Sequence, residues 1–325
     1  MLKKIVFYGI LPLFFISCSQ KEKENKVIYL EEISPETKVF QAIGLLGDSL
    51  FTDIDSSLQQ TQIDKLEEAE NLYGEDPSLE NLIWIGRREA YLGRYDLAIR
   101  TFSKAAKQYP DSFEALRHRG HRFISIREFD RAILDFLKAA ELMENLPLQI
   151  EPDGMPNKQN IPLSNGQFNV WYHLGLAYYL KNDWEKALEA YQKCLEVSDN
   201  DDLIVATLDW YYMTLVKMGK TKEAQSLIRA VNTKMTIIEN DAYFKRILMY
   251  KGELKPEALM DTEDSKSEDQ KLQYVTQGYG LGNYYLSKGD TAKAKSIFEN
   301  VLATGYWSAF GYIASEMELA GLKNE

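Results

Sequence analysis

The stretch "FNVWYHLGLAYYLKNDWEKALEAYQKCLEVSDND", residues 168–201, decides the fold. Its apolar residues recur at three- and four-residue spacings, so it reads as two amphipathic helices in succession. Small and bulky residues alternate along it: Trp171, Leu174, Gly175, Tyr178, Trp184, Ala187, Tyr191 and Cys194. Upstream, residues 79–112 and 113–146 repeat the scheme with the same length of 34 residues. Gly86, Tyr95, Ala98, Phe102, Ala105 and Pro110 of the first correspond to Gly120, Phe129, Ala132, Phe136, Ala139 and Glu144 of the second. A recurring period of this length marks a stacked-repeat architecture.

A fourth copy starts near Val205, and another near Val275 carries Leu281, Gly282, Tyr285, Gly289, Ala294, Phe298 and Val301. A degenerate copy lies between them around "DAYFKRILMYKGELKPEALM", residues 241–260. The pattern resembles the tetratricopeptide repeat (TPR). That resemblance implies an all-α TPR superhelix, an α-solenoid of about five to six helix pairs with N- and C-terminal capping helices. The physical logic stands beside the family name: a helix pair cannot bury its apolar face alone, so neighbours stack, and small residues let the axes approach. Cys194 then fills the small core place held by Ala105 and Ala139.

The resulting boundaries are a signal segment at 1–17, a polar tether at 18–33, two capping helices within 34–78, and a repeat pair at 79–146. An insert rich in Pro, Gly and Asn comes next at 147–167, able to close a small hairpin, and then a repeat pair at 168–238. A degenerate repeat plus a repeat fill 239–305, and a capping helix 306–325.

At the start of the chain, Lys3 and Lys4 precede an apolar run from Ile5 to Ile16 that is too short to span a bilayer as a mature helix. Ser17-Cys18 at its end resembles the lipobox of bacterial lipoproteins. This implies a diacylated Cys18 as mature N-terminus, held to the membrane by its acyl chains at about 0.8 kcal/mol per buried CH₂. The "SQKE" that begins the tether looks like the tract that marks lipoproteins for surface export in one group of Gram-negative bacteria. The expected location is the cell envelope, at the outer membrane. With Cys18 lipidated, Cys194 has no partner for an intramolecular disulfide.

The chain has 38 Lys and Arg against 49 Asp and Glu, a formal net charge of -11. Such a balance repels phosphate backbones and argues against nucleic acid. Yet "LRHRGHRFIS", residues 116–125, concentrates three arginines and two of the three histidines. In the first helix of each unit, places 2, 5, 9 and 12, with 6 and 13 beside them, form one stripe at helical spacing, and the resemblance implies that this stripe lines the concave groove. Trp84, Arg87, Tyr91, Arg117, His118, His121, Tyr172, His173, Tyr179 and Trp210 fall on or beside it, as does Asp209.

Arg119 and Glu89 sit at places that are apolar in other units, so a structural ion pair of Glu89 with Arg119 or Arg122 is the economical arrangement. Three readings of the cluster stay open: an ion-pair network, a ligand groove, and a metal site on His118, His121 and His173. The sequence carries no nucleophile with an adjacent base, no phosphate-binding glycine loop and no HExxH, and calls for neither cofactor nor metal. The expected function is a membrane-anchored, non-enzymatic scaffold whose groove binds an acidic peptide or protein segment. Its binding should strengthen as the histidines charge near pH 6.5. The alternative is a small-molecule or glycan binder that stacks sugars on Trp84, Tyr172 and Trp210.

Overall fold

A computed structural model describes residues 38–53, 56–260 and 268–323. Met1–Lys38 and Val39–Glu325 are separate compact units. Of the first only Lys38 is described, so the signal segment, Cys18 and the tether lie outside the described residues. The helices and nearly all of the hairpin belong to the second unit. No helix among the described residues is long and apolar enough to cross a membrane.

Among the described residues, thirteen α-helices come after one short hairpin. The pairs are α2 (Leu79–Tyr91) with α3 (Tyr95–Gln108), α4 (Phe113–Ser125) with α5 (Phe129–Met143), α6 (Gly166–Leu180) with α7 (Trp184–Glu196), and α8 (Asp201–Lys217) with the shorter α9 (Thr221–Leu227). In the degenerate copy, α10 (Asp241–Lys251) is followed by a 3-10 turn at Pro256–Ala258 in place of a second helix. The last pair is α11 (Glu268–Ser287) with α12 (Thr291–Ala303); α1 (Ser56–Glu75) precedes the array and α13 (Phe310–Leu322) ends it. The all-α solenoid expected from the sequence is the fold found.

The repeated glycines mark where helix axes close on one another. A Cβ on Gly86 would lie 2.5 Å from the Phe102 ring, on Gly120 2.8 Å from Phe136, and on Gly175 2.7 Å from Tyr191. Each of those rings is buried in the core between the two helices of its own unit. The turn between paired helices is also repeated: Gly93, Arg127, Asn182, Gly219 and Gly289, each fifteenth in its unit, take φ of 72°, 66°, 61°, 73° and 82°. This left-handed conformation costs a residue with a Cβ roughly 1 kcal/mol, which makes Arg127 the informative member.

The N-terminal cap departs from expectation. "KVFQAIGLLGDSLFTD" is not a helix but a two-stranded hairpin, β1 (Lys38–Ile43) and β2 (Ser49–Asp53). Its alternating, β-branched and aromatic residues suit a strand, and Gly47 at φ 93° with the Gly44 N–H to Asp48 O bond of 2.8 Å closes the turn.

The C-terminal helix also does more than cap. Glu316 on α13 accepts from Arg127 Nη2 at 2.8 Å, Arg127 Nη2 also donates to Trp307 O at 2.8 Å, and Trp307 Nε1 donates to Phe51 O of β2 at 2.8 Å. Farther along, Glu318 pairs with Lys217 of α8 at 2.6 Å and accepts from Tyr279 of α11 at 3.2 Å. Phe310 stands 5.2 Å from the His121 ring and 5.4 Å from that of His173. Helix α13 therefore lies across the inner stripe of α4, α6, α8 and α11, and its far side meets the hairpin.

Candidate ligand groove

On α2, Trp84, Arg87, Arg88 and Tyr91 follow the i, i+3, i+4, i+7 rule and share one face. On α4, Arg117, His118, His121 and Arg122 face them. The insert supplies the third wall. Ile150 makes an antiparallel bridge with Asn165, the Glu151 N–H donates to Ser164 O at 2.9 Å, and Arg88 Nη1 donates to Gly154 O at 3.1 Å. The hairpin expected of the insert is thus reduced to one bridge, and the loop is drawn over the groove as a strap.

Two adjoining cavities of about 280 and 260 Å³ lie between these walls. Leu79, Ile83, Trp84, Phe113 and Ile150 make the first largely apolar. Tyr91, His121, Arg122 and Asp153 belong to the second. Arg87, Arg117, His118, Glu151 and Pro152 line both.

Of the three guanidinium groups, one has a carboxylate. Arg117 Nη2 lies 2.8 Å from Glu151, and its Nη1 bonds to His118 Nδ1 at 2.9 Å, while its Nε is buried without a partner. Burial lowers the Arg117 pKa to about 10, aided by Arg87 and Arg122 and opposed by Glu151. Arg87, only 8% exposed, donates to Tyr91 Oη at 3.3 Å and sits 4.2 Å over the Trp84 ring. Arg122 lies 5.2 Å over the Tyr95 ring. Among the described residues neither Arg87 nor Arg122 has a carboxylate within ion-pair distance. Burial also lowers Arg122, with Arg87 acting in the same direction.

The histidines do not behave as charged groove residues. His118 is stacked on Phe102 at 5.3 Å, and accepting from Arg117 suits a neutral ring. His121 and His173 pack 4.3 Å apart beneath Phe310. Burial first, and the neighbouring arginines second, hold His118 and His121 well below their ordinary value and His173 at about 3. Burial and the neighbouring arginines therefore oppose charging of these rings near pH 6.5 in the protein without ligand. Nor do the three rings converge on a metal: among the described residues no group of three or more His, Cys, Asp and Glu is placed to hold one.

The sequence expectation of an open groove at Tyr172, His173, Tyr179 and Trp210 is corrected here, for all four are buried. Tyr172 Oη donates to Tyr243 of α10 at 3.0 Å, Tyr179 Oη bonds to Tyr279 of α11 at 2.6 Å, and Trp210 stacks on Tyr279 at 5.6 Å. Asp209 pairs with Arg246 of α10 at 2.8 Å, both side chains fully enclosed. The repeat geometry does aim these places inward, but the chain's own later helices cover them. Two of the three rings that a sugar-stacking reading needs, Tyr172 and Trp210, are thereby lost to the core.

The ion pairs are also rearranged. Arg119 is bidentate to Asp135, with Nε–Oδ2 and Nη2–Oδ1 both 2.7 Å, and donates to Ser103 at 3.2 Å. Glu89 has no such partner: its Oε2 is buried without a hydrogen bond, and burial pushes the carboxyl up to about 7, the Thr101 side chain opposing. Asp135 stands where the neighbouring units carry Thr101 and Ala190, so aligning the second helices would have shown the partner. Arg122, assigned to the network, lines the groove instead. Glu151 was missed as a groove residue; its signal was the acidic "EPDG" inside the insert.

Stacked helix hairpins with a shared inner face define a helical-repeat solenoid. Models of the tetratricopeptide repeat match residues 85–147, 168–201 and 279–303, and the chain carries such repeats. It is similar to the anaphase-promoting complex subunit CDC16 of Saccharomyces cerevisiae, 23% identical over 279 residues, 78% of this chain and 31% of the yeast protein. It is also similar to the BBSome complex member BBS4 of Bos taurus, 26% identical over 136 residues, 42% of this chain and 22% of that protein. The chain thus spans a third or less of the length of these curated relatives. A solved tetratricopeptide repeat protein from Parabacteroides merdae aligns with 82% of this chain and 95% of its own at 16% identity and TM-score 0.46.

Proposed function

We propose that the chain is a membrane-anchored scaffold, non-enzymatic, that takes an acidic segment of a peptide or protein partner in the groove between α2, α4 and the strap. The observation that carries this reading is Arg87 and Arg122 lining one groove without ion-pair partners among the described residues, in a chain of formal charge -11. A buried guanidinium left without a carboxylate is costly, and a ligand carboxylate relieves that cost through paired, charge-assisted hydrogen bonds. The apolar first cavity, with Trp84 at its wall, supplies the burial that a peptide side chain needs.

Anchoring is through diacylated Cys18, which places the protein in the cell envelope at the outer membrane, with no nucleic acid and no cofactor involved. Titrating labelled hexaglutamate into the purified protein should show saturable binding that weakens with added salt. The double substitution Arg87→Ala/Arg122→Ala should abolish it, and retention of binding in that variant would refute the groove. Cys18→Ala should move the protein from the membrane to the soluble fraction on cell fractionation, and continued membrane retention would refute the anchor.

A further inference from the structure

The strap meets the groove through charge rather than through apolar burial. Leu148, Ile150, Met155 and Ile161 are all exposed, Ile150 and Met155 at the edges of the two cavities. What enters the groove is acidic: Glu151 on Arg117 at 2.8 Å, with Asn169 Nδ2 donating to the same carboxylate at 3.0 Å, and Asp153 lining the second cavity with Arg87. The backbone runs close to the groove wall, for a Cβ on Gly154 would collide with Tyr91 Oη and Arg87 Nη2. The rest of the strap is also held by hydrogen bonds, among them Asn157 Nδ2 to Glu239 at 2.7 Å and Asn200 Nδ2 to Leu163 O at 2.8 Å, and a segment held by polar contacts with its apolar side chains exposed opens more readily than the packed helices.

We infer that the strap is a resident stand-in for the partner: Glu151-Pro152-Asp153 fills the acid-x-acid places of the ligand, and a partner segment with that spacing enters by replacing it. The inference rests on the groove being a site for acidic segments. Exchange leaves no guanidinium newly stranded, because an incoming carboxylate takes the place of Glu151 on Arg117. The tethered strap competes at the high local concentration of an intramolecular group, so a short free segment binds the native chain, but more weakly than a chain whose strap has lost its charges. A successful partner adds an apolar side chain ahead of its acids. That side chain takes the place of Ile150 at the first cavity, beside Trp84.

The test uses the full chain and the labelled heptapeptide QIEPDGM, the sequence of residues 149–155, with fluorescence anisotropy as readout. Glu151→Gln/Asp153→Asn, which keeps side-chain size and removes the strap's charges, should bind this peptide at least about tenfold tighter than the native chain. The uncharged peptide QIQPNGM should not bind, and adding Arg117→Ala to the variant should remove the gain. If the double variant melts lower than the native chain, Glu151→Gln alone is compared in the same way and should again bind more tightly. Equal affinity of native and variant chains, with hexaglutamate still bound by the native protein, overturns the strap inference and leaves the groove reading standing. Failure of hexaglutamate to bind either chain overturns both.

Discussion

Replacing Glu89 by Gln should stabilise the protein, and by an amount that depends on pH. The carboxyl is buried in α2, lacks a cation within ion-pair distance among the described residues, and is raised from an ordinary 4.5 to about 7. A folded-state pKa above the unfolded one means that the folded protein holds the proton more tightly. Stability is then fully present below about 4.5 and is lost as pH rises through about 7. At about 1.4 kcal/mol per pH unit, the ionised group costs about 3 kcal/mol at pH 8 and under about 1 kcal/mol at pH 5. The amide of Glu89→Gln carries no charge and keeps a hydrogen-bonding oxygen for Thr101, so the variant escapes the cost at high pH. Urea denaturation of both proteins at pH 5, 6.5 and 8 measures the difference directly. The variant should lead by about 3 kcal/mol at pH 8, with its lead shrinking steadily toward pH 5. A difference that does not vary with pH, or a variant less stable than the native protein at pH 8, would refute the assignment of Glu89 as a buried, unpaired acid.

Arg119→Ala should strand Asp135 and lower stability by about 2 kcal/mol, below the range for fully enclosed pairs because the Arg119 side chain is 21% exposed. The double variant Arg119→Ala/Asp135→Ala should recover part of that loss in the same denaturation assay. Arg246→Ala, which leaves Asp209 alone in the core, should cost more, on the order of 3–5 kcal/mol, and loss of less than about 1 kcal/mol would show the pair to be dispensable. Cys194 is enclosed beside Thr207, its Sγ 3.2 Å from the hydroxyl, and burial pushes the thiol up to about 12. It should resist maleimide in the native protein and react on denaturation.

The helix pairs were legible because a period of 3.6 and the matched Gly and aromatic places are local properties, as with Gly86 and Phe102. The hairpin was not. "KVFQAI" is short enough for its apolar residues to satisfy either period, and only the turn at Gly47-Asp48 separates the two. In the groove, Trp84, Arg87, Tyr91, Arg117, His118 and His121 were placed on one face by counting along α2 and α4, and they do come together. The fate of Tyr179 and Trp210 was beyond such counting, because what covers them is Tyr279, far along the chain. Likewise the histidines' residue type suggested charge, while their pKa values depend on burial by Phe102, Phe310 and neighbouring arginines that no local pattern specifies.

The contact between Arg127 and Glu316 spans 189 residues, and that between Phe51 and Trp307 spans 256. An open stack of repeats frays from its ends and can gain or lose a unit with only local consequences. Here the two ends are latched, and Arg127, in its strained left-handed turn, serves as the catch. Closure must wait for the last helix to be synthesised and carries the loop entropy of nearly the whole array. Once made, it couples distant units: adding or deleting a single repeat between Arg127 and Glu316 would move α13 off its seat on the inner stripe and expose Tyr279, which donates to Glu318 there.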